Sequence, residues 1–342
     1  MLRYREMICA AALAGTLVLA QAARAEPLPG DVAAAAVRGF DRLFGGPYPG
    51  HRAVHATGML AEGIFVPSAD AGTLSRADHF RVPVPVLVRF SAFAGVPAVP
   101  DQADGASPRG MSIKFILPDG GDTDIVAHSY NGFPASTPDE FVAFLRALAT
   151  PDPMALKRHL AEHPAAQTFV DTPKPPPASY ATERFFGVNA FRFTNEAGVG
   201  RFGRYRIEPV AGTAHLTADD AAQRAADYLT TELQERLDRE PAEFKLLVQL
   251  AASSDDILDG SRPWPDDRTL VDAGTIRLTR FVPDSAAAQR NLLFTPLSLV
   301  DGIAPSADPL LVARSRSYRA SFDRRRDDAE IGTRSALSGS VR

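Results

Sequence analysis

The amino-acid sequence predicts an α+β protein with an antiparallel β-barrel at its core and helices around that barrel. Three observations lead to this prediction. Segments rich in β-branched and aromatic residues, with partial alternation of apolar and polar positions, recur along the chain, as is typical of antiparallel strands. Segments with helix start signals lie between them. No glycine-rich phosphate loop follows a strand-like segment, which argues against a parallel nucleotide-binding sheet.

The predicted elements begin with a short helix at residues 30–44. Thr137, Pro138 and Glu140 supply a cap, a first-turn proline and a capping-box glutamate, so a helix is predicted over residues 138–149. A longer helix is predicted over residues 217–237, because a threonine and two aspartates open it. Seven segments are predicted as strands, at residues 60–66, 86–93, 111–117, 185–193, 203–209, 244–250 and 275–282.

The first 25 residues have the pattern of a secretory signal peptide. Arg3 and Arg5 form a positive start, an apolar run follows at residues 7–20, and small residues fit a cut after Ala25. We therefore expect a periplasmic or secreted protein. The single cysteine, Cys9, lies in this segment, so the exported chain would carry no thiol, no disulfide and no thiolate-bound metal.

The rest of the chain is predicted to form one domain over residues 26–326, followed by a polar tail at residues 327–342. No apolar segment after the signal approaches the length of a membrane span. The net charge of −4 argues against nucleic acid as a general partner. The oligomeric state stays open between a monomer and a small homo-oligomer.

Several charged or polar side chains stand in or beside segments that are predicted to be buried strands. Arg89 stands in the middle of an apolar strand, Ser91 follows on the same face, and His55 directly precedes another strand. A buried guanidinium needs an anion, and a carboxylate matches its fork. Near the C-terminus, Arg314 and Tyr318 share one helix face at i and i+4. A guanidinium beside a phenol favours the phenolate, a hard anionic oxygen suited to ferric iron.

Seven short motifs then resemble the catalase family, in the family's order and spacing, over nearly the whole predicted mature chain. A chance match to one of them is easy, but a chance match to all of them in order is not. The motifs are RAVHATG at 52–58, VRFS at 88–91, RGMSIKF at 109–115, DIV at 124–126, GVNAF at 187–191 with Asn195, WPDD at 264–267 with Gly274, and GIAPSADPLLVARSRSY at 302–318. The chain is most similar to the smaller, catalase-related peroxidases of this family.

The resemblance implies haem b as the cofactor and gives roles to individual residues. Tyr318 matches the proximal ligand of the haem iron, for which catalase is itself the established case of tyrosine ligation, and Arg314 matches the arginine that keeps it ionised. His55 matches the distal acid–base histidine, and Ser91 its hydrogen-bond partner. Arginines that pair with the haem propionates are matched by Arg52, Arg89 and Arg325. Phe141 matches a phenylalanine that packs on the haem face.

One position departs from the family pattern. Catalases carry an asparagine four residues after the aspartate of the D-[LI]-V motif, as a second distal hydrogen-bond donor. Counting from Asp124 without gaps places His128 there, and Asn131 follows three residues later. Phe133 and Phe141 keep the family spacing in the same alignment. His128 and Asn131 are therefore both candidates for the second polar group.

The resemblance also implies an activity. We expect an exported haem peroxidase that reduces hydrogen peroxide or organic hydroperoxides with an unidentified electron donor, and that has weak catalase activity besides. The chain ends soon after Tyr318 and its N-terminal arm is short, so a more open haem is expected, which favours organic peroxides. Two alternatives stay open, a fatty-acid hydroperoxide isomerase of the same fold and a non-catalytic haem-binding protein. His55 argues against simple storage, since a carrier needs no proton shuttle.

Overall fold

The computed structural model describes residues 32–339, with side chains described as far as residue 328. The strands in this part of the chain are β1 (Gly58–Pro67), β2 (Val84–Ser91), β3 (Gly110–Ile116), β4 (Asp122–His128), β5 (Phe185–Phe186), β6 (Phe191–Thr194), β7 (Gly200–Pro209), β8 (Ala242–Leu250), β9 (Leu270–Phe281) and β10 (Ile303–Pro305). The helices are α1 (Val32–Phe44), α2 (Ala71–Leu74), α3 (Pro138–Ala149), α4 (Pro153–Glu162), α5 (Pro164–Asp171), α6 (Ala218–Ala222), α7 (Tyr228–Leu237), α8 (Ser285–Ala288) and α9 (Pro309–Gly339). The predicted signal peptide and its cut after Ala25 lie outside the described residues.

Eight of these strands close into an antiparallel barrel. The ring runs β1-β2-β3-β4-β5-β7-β8-β9, and β9 pairs back with β1. The remaining two strands, β6 and β10, extend the sheet beside β7 and do not join the ring. The predicted fold class, an antiparallel barrel with surrounding helices, is therefore confirmed.

Aromatic side chains fill the barrel interior. Phe65, Phe90, Phe115 and Phe244 are fully buried, and the rings of Phe65 and Phe115 meet edge to face with centroids 5.2 Å apart. Burying each such ring stabilises the fold by about 1.5–3 kcal/mol relative to leaving it in water. The barrel is thus a packed core, and the space for a ligand lies elsewhere.

Helices α1, α3 and α9 form a layer against one side of the barrel, which we call the helix layer. An apolar cluster separate from the barrel core joins α1 to α3, and Phe40 and Leu145 are buried in it. Arg324 of α9 donates a hydrogen bond to Asp41 of α1 at 2.6 Å. The helix layer is therefore held together by apolar packing and by an ion pair, and it covers the ends of β2, β3 and β4.

The helix predicted over residues 138–149 is confirmed as α3. The hydroxyl of Thr137 accepts a hydrogen bond from the amide of Glu140 at 3.3 Å. The carboxylate of Glu140 accepts in return from the amide and the hydroxyl of Ser136, at 2.9 and 2.8 Å. These bonds lie within five consecutive residues, so a local pattern is sufficient to predict them.

The single helix predicted over residues 217–237 is wrong, because the structure has the two shorter helices α6 and α7 there. Asp101, which is distant in sequence, occupies the break. Its amide donates to the carbonyl of Ala226 at 2.7 Å, and its Oδ2 accepts from the amide of Leu229 at 2.9 Å. A carboxylate from another part of the chain thus caps α7, and no local pattern indicates this.

The strand predicted over residues 185–193 is wrong in a similar way, because it is divided into β5 and β6. The segment between them turns so that the side chain of Asn189 reaches α9. There it donates to Asp308 at 2.6 Å and accepts a hydrogen bond from Arg314. The break between β5 and β6 therefore coincides with a buried contact between Asn189 and residues that are distant in sequence.

The long helix α9 begins at Pro309 and runs to Gly339. Its backbone therefore continues through most of the segment predicted as a polar tail, residues 327–342. Within residues 32–339, no helix combines the length and the apolar character needed to cross a membrane.

Candidate active site

A cavity lies between the barrel wall and the helix layer. Its lining comes from the ends of β2, β3 and β4, from the segment before β1, and from α1, α3 and α9. The empty space is about 1590 Å³, including the part that is open to solvent. Nine of the ten predicted site residues line the cavity, and Asn131 does not.

Three hydrogen bonds hold His55 in an unusual backbone conformation. Its φ of 56° lies in the left-handed region, which residues other than glycine seldom adopt. The amide donates to the carbonyl of Phe93 at 2.8 Å, and the carbonyl accepts from Arg89 Nη2 at 2.8 Å. The Nδ1 atom lies 3.1 Å from Ser91 Oγ. Neighbouring segments thus stabilise a strained residue, a pattern that clusters at functional sites.

Gly110 leaves the space that the His55 ring occupies. It pairs with Ser91 across β2 and β3. A Cβ atom at Gly110 would lie 2.5 Å from Ser91 Oγ and 3.0 Å from His55 Nδ1. A residue with any side chain would therefore push the hydroxyl and the imidazole apart. The glycine is required here by the packing of its neighbours.

The His55 imidazole is neutral at physiological pH. Burial lowers its pKa to about 3, and the positive charge of Arg89 acts in the same direction. A hydrogen bond to the backbone of Ala92 opposes these effects without cancelling them. A neutral imidazole that faces a cavity can accept a proton from a ligand and later return it.

Arg52, Arg89 and Arg325 form a cluster of cations at the edge of the cavity. Arg52 Nη2 and Arg325 Nη2 both donate to the carbonyl of Leu292, each at 3.0 Å. Burial lowers the pKa of Arg89 and of Arg325 to about 10, and burial together with the other two charges lowers the pKa of Arg52. All the hydrogen bonds described for these three guanidinium groups end on uncharged oxygen atoms. Such a cluster needs an anion.

Gln289 completes the environment of Arg89. Its Oε1 accepts from Arg89 Nε at 2.5 Å, and its Nε2 donates to the carbonyls of Gly58 at 2.8 Å and Ser285 at 3.0 Å. The sequence analysis missed this residue. A glutamine after a run of alanines carries no pattern, so no signal in the sequence could have identified it.

Tyr318 lines the same cavity from α9. Arg314, one turn earlier, donates two hydrogen bonds to the Tyr318 hydroxyl oxygen, from Nε at 3.2 Å and from Nη2 at 3.1 Å. Two N–H groups of one guanidinium therefore converge on one phenolic oxygen. The predicted i, i+4 relationship of the two residues is therefore present, and the oxygen faces the cavity as a candidate metal ligand.

A further chain of hydrogen bonds fixes Arg314. Its Nη1 donates to the amide oxygen of Asn189, and Asn189 Nδ2 donates to Asp308 Oδ2 at 2.6 Å. Asp308 Oδ1 also accepts from the amide of Leu310 at 2.8 Å, in the first turn of α9. The sequence analysis included Asn189 and Asp308 in motifs but assigned them no role. The sequence signal that could have identified both residues was their position within those motifs.

The sequence model of the catalase family matches residues 49–328 of the chain. The chain belongs to the catalase family. The motif resemblance found in the sequence is thereby confirmed, and the chain is an oxidoreductase of this haem-dependent family. It is 39% identical over 299 residues to the catalase-related peroxidase of Mycolicibacterium paratuberculosis, an alignment that covers 85% of this chain and 93% of that protein.

Other members of the catalase family match the chain at lower sequence identity. The catalase-related peroxidase of Synechococcus elongatus is 32% identical over 285 residues, covering 81% of this chain and 84% of that protein. A fungal catalase of known crystal structure superposes with a TM-score of 0.72 at 24% identity, covering 80% of this chain and 59% of that chain. At this level of identity, the structural match supports the fold alone.

The family's haem fits the residues that line the cavity. Among the described residues, no carboxylate bonds to Arg52, Arg89 or Arg325. The two carboxylates of a porphyrin would supply the missing anions. The Tyr318 oxygen, polarised by Arg314, is a hard donor for ferric iron, and tyrosine ligation of haem has catalase as its established example. These five side chains would therefore hold the cofactor.

Of three further predicted site residues, two line the cavity and one does not. Phe141 lines the cavity, and its ring packs on Phe133 with centroids 4.8 Å apart and on Phe40 at 5.8 Å. His128, the last residue of β4, also lines the cavity. Asn131 follows three residues later and is not among the lining residues. The two candidates for the second polar group are therefore differently placed, and only His128 is within the cavity.

Proposed function

We propose that this chain is an exported haem b peroxidase that reduces hydrogen peroxide or organic hydroperoxides, with weak catalase activity besides. One observation carries the proposal. One cavity holds an arginine-polarised tyrosine oxygen, a neutral histidine and a cluster of arginines that bonds to no carboxylate of the described residues. Each of these features is unfavourable or purposeless in a cavity without a cofactor, and together they match what a haem peroxidase needs.

His55 is the residue proposed to move the proton. In the tautomer in which Nδ1 donates to Ser91 Oγ, the Nε2 atom has a free lone pair. It accepts the proton from one peroxide oxygen and gives it to the departing oxygen as the O–O bond breaks. Arg89 supports this role indirectly, since it holds the carbonyl of His55 and adds to the effect of burial, which lowers the pKa of the ring.

Bound haem supplies the redox chemistry that cleaves the O–O bond. The chain's own residues hold the haem and exclude competing groups. Tyr318 and Arg314 would hold the haem from the helix layer, and apolar side chains such as Phe141 would cover the remaining haem surface. For a hydroperoxide ROOH, the balance is two electrons and two protons taken from a donor, with ROH and water as products.

The substrate range follows from the lining. Phe40, Phe141, Leu145 and Phe169 make much of the cavity apolar, which stabilises the alkyl part of an organic hydroperoxide. The same lining favours a second candidate, a fatty-acid hydroperoxide isomerase. Product analysis separates the two, because reduction yields an alcohol and consumes an equivalent of donor, whereas isomerisation consumes none.

Export is part of the proposal because of the signal-like residues 1–25. The catalase-related relatives support the activity, and the leader pattern alone supports the location. Mass spectrometry of the protein purified from intact cells tests this point. A mature N-terminus at Glu26 in the periplasm or medium is expected, and an uncleaved chain in the cytoplasm would contradict export.

The decisive experiment is an absorption spectrum of the purified, haem-loaded protein beside its Tyr318→Phe and His55→Gln variants. Wild type should show a high-spin ferric spectrum typical of phenolate ligation, and Tyr318→Phe should lose haem or change colour. His55→Gln should keep haem but lose peroxide turnover by about two orders of magnitude or more. Full turnover in His55→Gln would exclude the proposed proton transfer, and an unchanged spectrum in Tyr318→Phe would exclude the proposed ligand.

A further inference from the structure

Residues 289–298, which we call the strap, contact the arginine cluster at the edge of the cavity. The carbonyl of Leu292 accepts one hydrogen bond from Arg52 and one from Arg325, each at 3.0 Å. Among the described residues, all the hydrogen bonds of these two guanidinium groups end on carbonyl oxygens of the strap. The strap contains no carboxylate, so it orients the two cations without neutralising them. The direction in which these guanidinium groups point therefore depends on where the strap lies.

Asp124, at the start of β4, holds the other end of the strap. Its Oδ2 accepts a hydrogen bond from the amide of Thr295 at 2.9 Å, and its own amide donates to the carbonyl of Ser298 at 3.0 Å. Asp124 is 3% exposed and does not line the cavity. It belongs to the DIV motif, to which the sequence analysis assigned no role. The barrel wall thus fixes the strap through one buried carboxylate.

Lys114 of β3 holds this carboxylate in place. Its Nζ donates to Asp124 Oδ1 at 2.7 Å, so one carboxylate oxygen binds the lysine and the other binds the strap. The same Nζ lies 5.6 Å from the ring centroid of Phe294, a strap residue that lines the cavity. A buried carboxylate is tolerated only when it is paired and hydrogen-bonded. The lysine and the strap amide together meet this requirement.

We propose that Asp124 is a positioning residue for the site that binds the cofactor's carboxylates. It fixes the strap through the amide of Thr295, and the carbonyl of Leu292 then orients Arg52 and Arg325 towards the cavity. The inference rests on the proposed function, which supplies the porphyrin. It predicts that a side chain outside the cavity lining controls how strongly the two carboxylates are held.

Two forms of the porphyrin test this inference without turnover. Haemin has two free carboxylates, whereas both are blocked in haemin dimethyl ester. A residue that acts through Arg52 and Arg325 should affect the retention of haemin and not that of the ester, because an uncharged ester forms no ion pair. A residue that only stabilises the fold should affect both alike. The measurement is the rate at which the loaded protein releases each form to an excess of a haem-scavenging globin, followed by absorption.

Two double variants separate the strap contact from the buried ion pair. Lys114→Met is combined with Asp124→Asn in one and with Asp124→Ala in the other, so neither leaves an unpaired buried charge. Only the asparagine keeps an oxygen that can accept from the amide of Thr295. Haemin release should be about five- to tenfold faster than in wild type in the alanine variant, since one buried hydrogen bond is lost. It should stay within about threefold of wild type in the asparagine variant, and both variants should release the ester at the wild-type rate.

Asp255 provides a matched control. Its carboxylate likewise binds a cation, Arg268 at 2.7 Å, and a backbone amide, that of Ala252 at 2.8 Å. It does not line the cavity, so Asp255→Ala should release haemin at the wild-type rate. Urea unfolding identifies any variant that fails to fold. If the alanine double variant fails, Lys114→Met with Asp124→Leu replaces it, because leucine has nearly the shape of aspartate and no acceptor oxygen.

Three results would overturn the inference. Wild-type haemin release in the alanine variant means that the contact between Asp124 and the strap does not influence the carboxylate site. Equal acceleration of haemin and ester release means that the contact only stabilises the fold. Equally fast haemin release in the asparagine and alanine variants means that the acceptor oxygen is not what holds the strap. Failure of the wild-type protein to retain haemin would instead contradict the proposed function.

Discussion

Arg314 donates two hydrogen bonds to one oxygen atom of Tyr318, at 3.2 and 3.1 Å, while its third nitrogen is held by Asn189. The guanidinium is therefore fixed at three points and cannot turn away from the phenolic oxygen. Asp308 anchors this arrangement from the start of α9. The position of the positive charge beside the phenolic oxygen is thus fixed by the packing between α9 and the segment after β5.

Replacing Arg314 by Gln should weaken haem binding at neutral pH by about tenfold or more. The phenolic oxygen loses a cation and two charge-assisted hydrogen bonds, which are worth about 1.5–3 kcal/mol each. Titration of the apoprotein with haemin, followed by absorption, measures the effect. Arg316→Gln is the control, since Arg316 is exposed on the same helix. Equal haem affinity in Arg314→Gln and Arg316→Gln would show that the guanidinium does not support the ligand.

Replacing Gly110 by Ala should lower kcat/KM for an organic hydroperoxide at least tenfold while haem stays bound. The new methyl group would lie 2.5 Å from Ser91 Oγ and 3.0 Å from the His55 ring, so the imidazole must move. A displacement of about 1 Å at a catalytic group is enough for a large loss of rate. Gly105→Ala serves as the control, because a Cβ atom at Gly105 meets nothing within 4 Å. Full activity in Gly110→Ala would mean that His55 does not depend on this packing.

Gln289→Glu tests the anion site. The new carboxylate would face Arg89 Nε, where Gln289 Oε1 now accepts at 2.5 Å, and would neutralise part of the cation cluster. Haem affinity should fall several-fold, because the carboxylates of the porphyrin would meet a smaller positive charge. Tighter haem binding in this variant would contradict the assignment of Arg89 to the cofactor's carboxylates.

His79 should make the fold less stable in acid. Burial among phenylalanine rings lowers its pKa to about 3, whereas an unfolded histidine titrates near 6.5. Between these values, only the unfolded chain binds the proton, so stability decreases as the pH falls below 6.5, by about 1.4 kcal/mol per pH unit. Above pH 6.5 this residue causes no pH dependence.

Urea unfolding of wild type and His79→Phe between pH 4 and 7 measures this contribution. The Phe variant should show a slope of stability against pH that is smaller by about 1.4 kcal/mol per unit, since it has no imidazole to protonate. His51→Gln, the loss of a histidine at an exposed position, is measured beside it as the control. Identical slopes in wild type and His79→Phe would mean that the buried ring is already charged in the folded protein.

Local patterns were sufficient where the stabilising contacts are local. The capping residues of α3 lie next to that helix, and Arg314 and Tyr318 are one turn apart on α9, so the sequence alone predicted both. The family motifs added His55, Ser91, Arg52 and Arg89. These residues could be named in advance because each one stands inside a short pattern.

Tertiary contacts decided the rest. Asp101 caps α7 from more than a hundred residues away, where the sequence predicted one continuous helix. Asn189 contacts Arg314 at the point where a predicted strand is divided. Gln289 joins Arg89 across a similar distance. In each case, one buried polar group satisfies another that is remote in sequence. Propensity and periodicity describe neighbours along the chain, whereas the pairing of buried polar groups depends on which segments the closed barrel and the helix layer bring together.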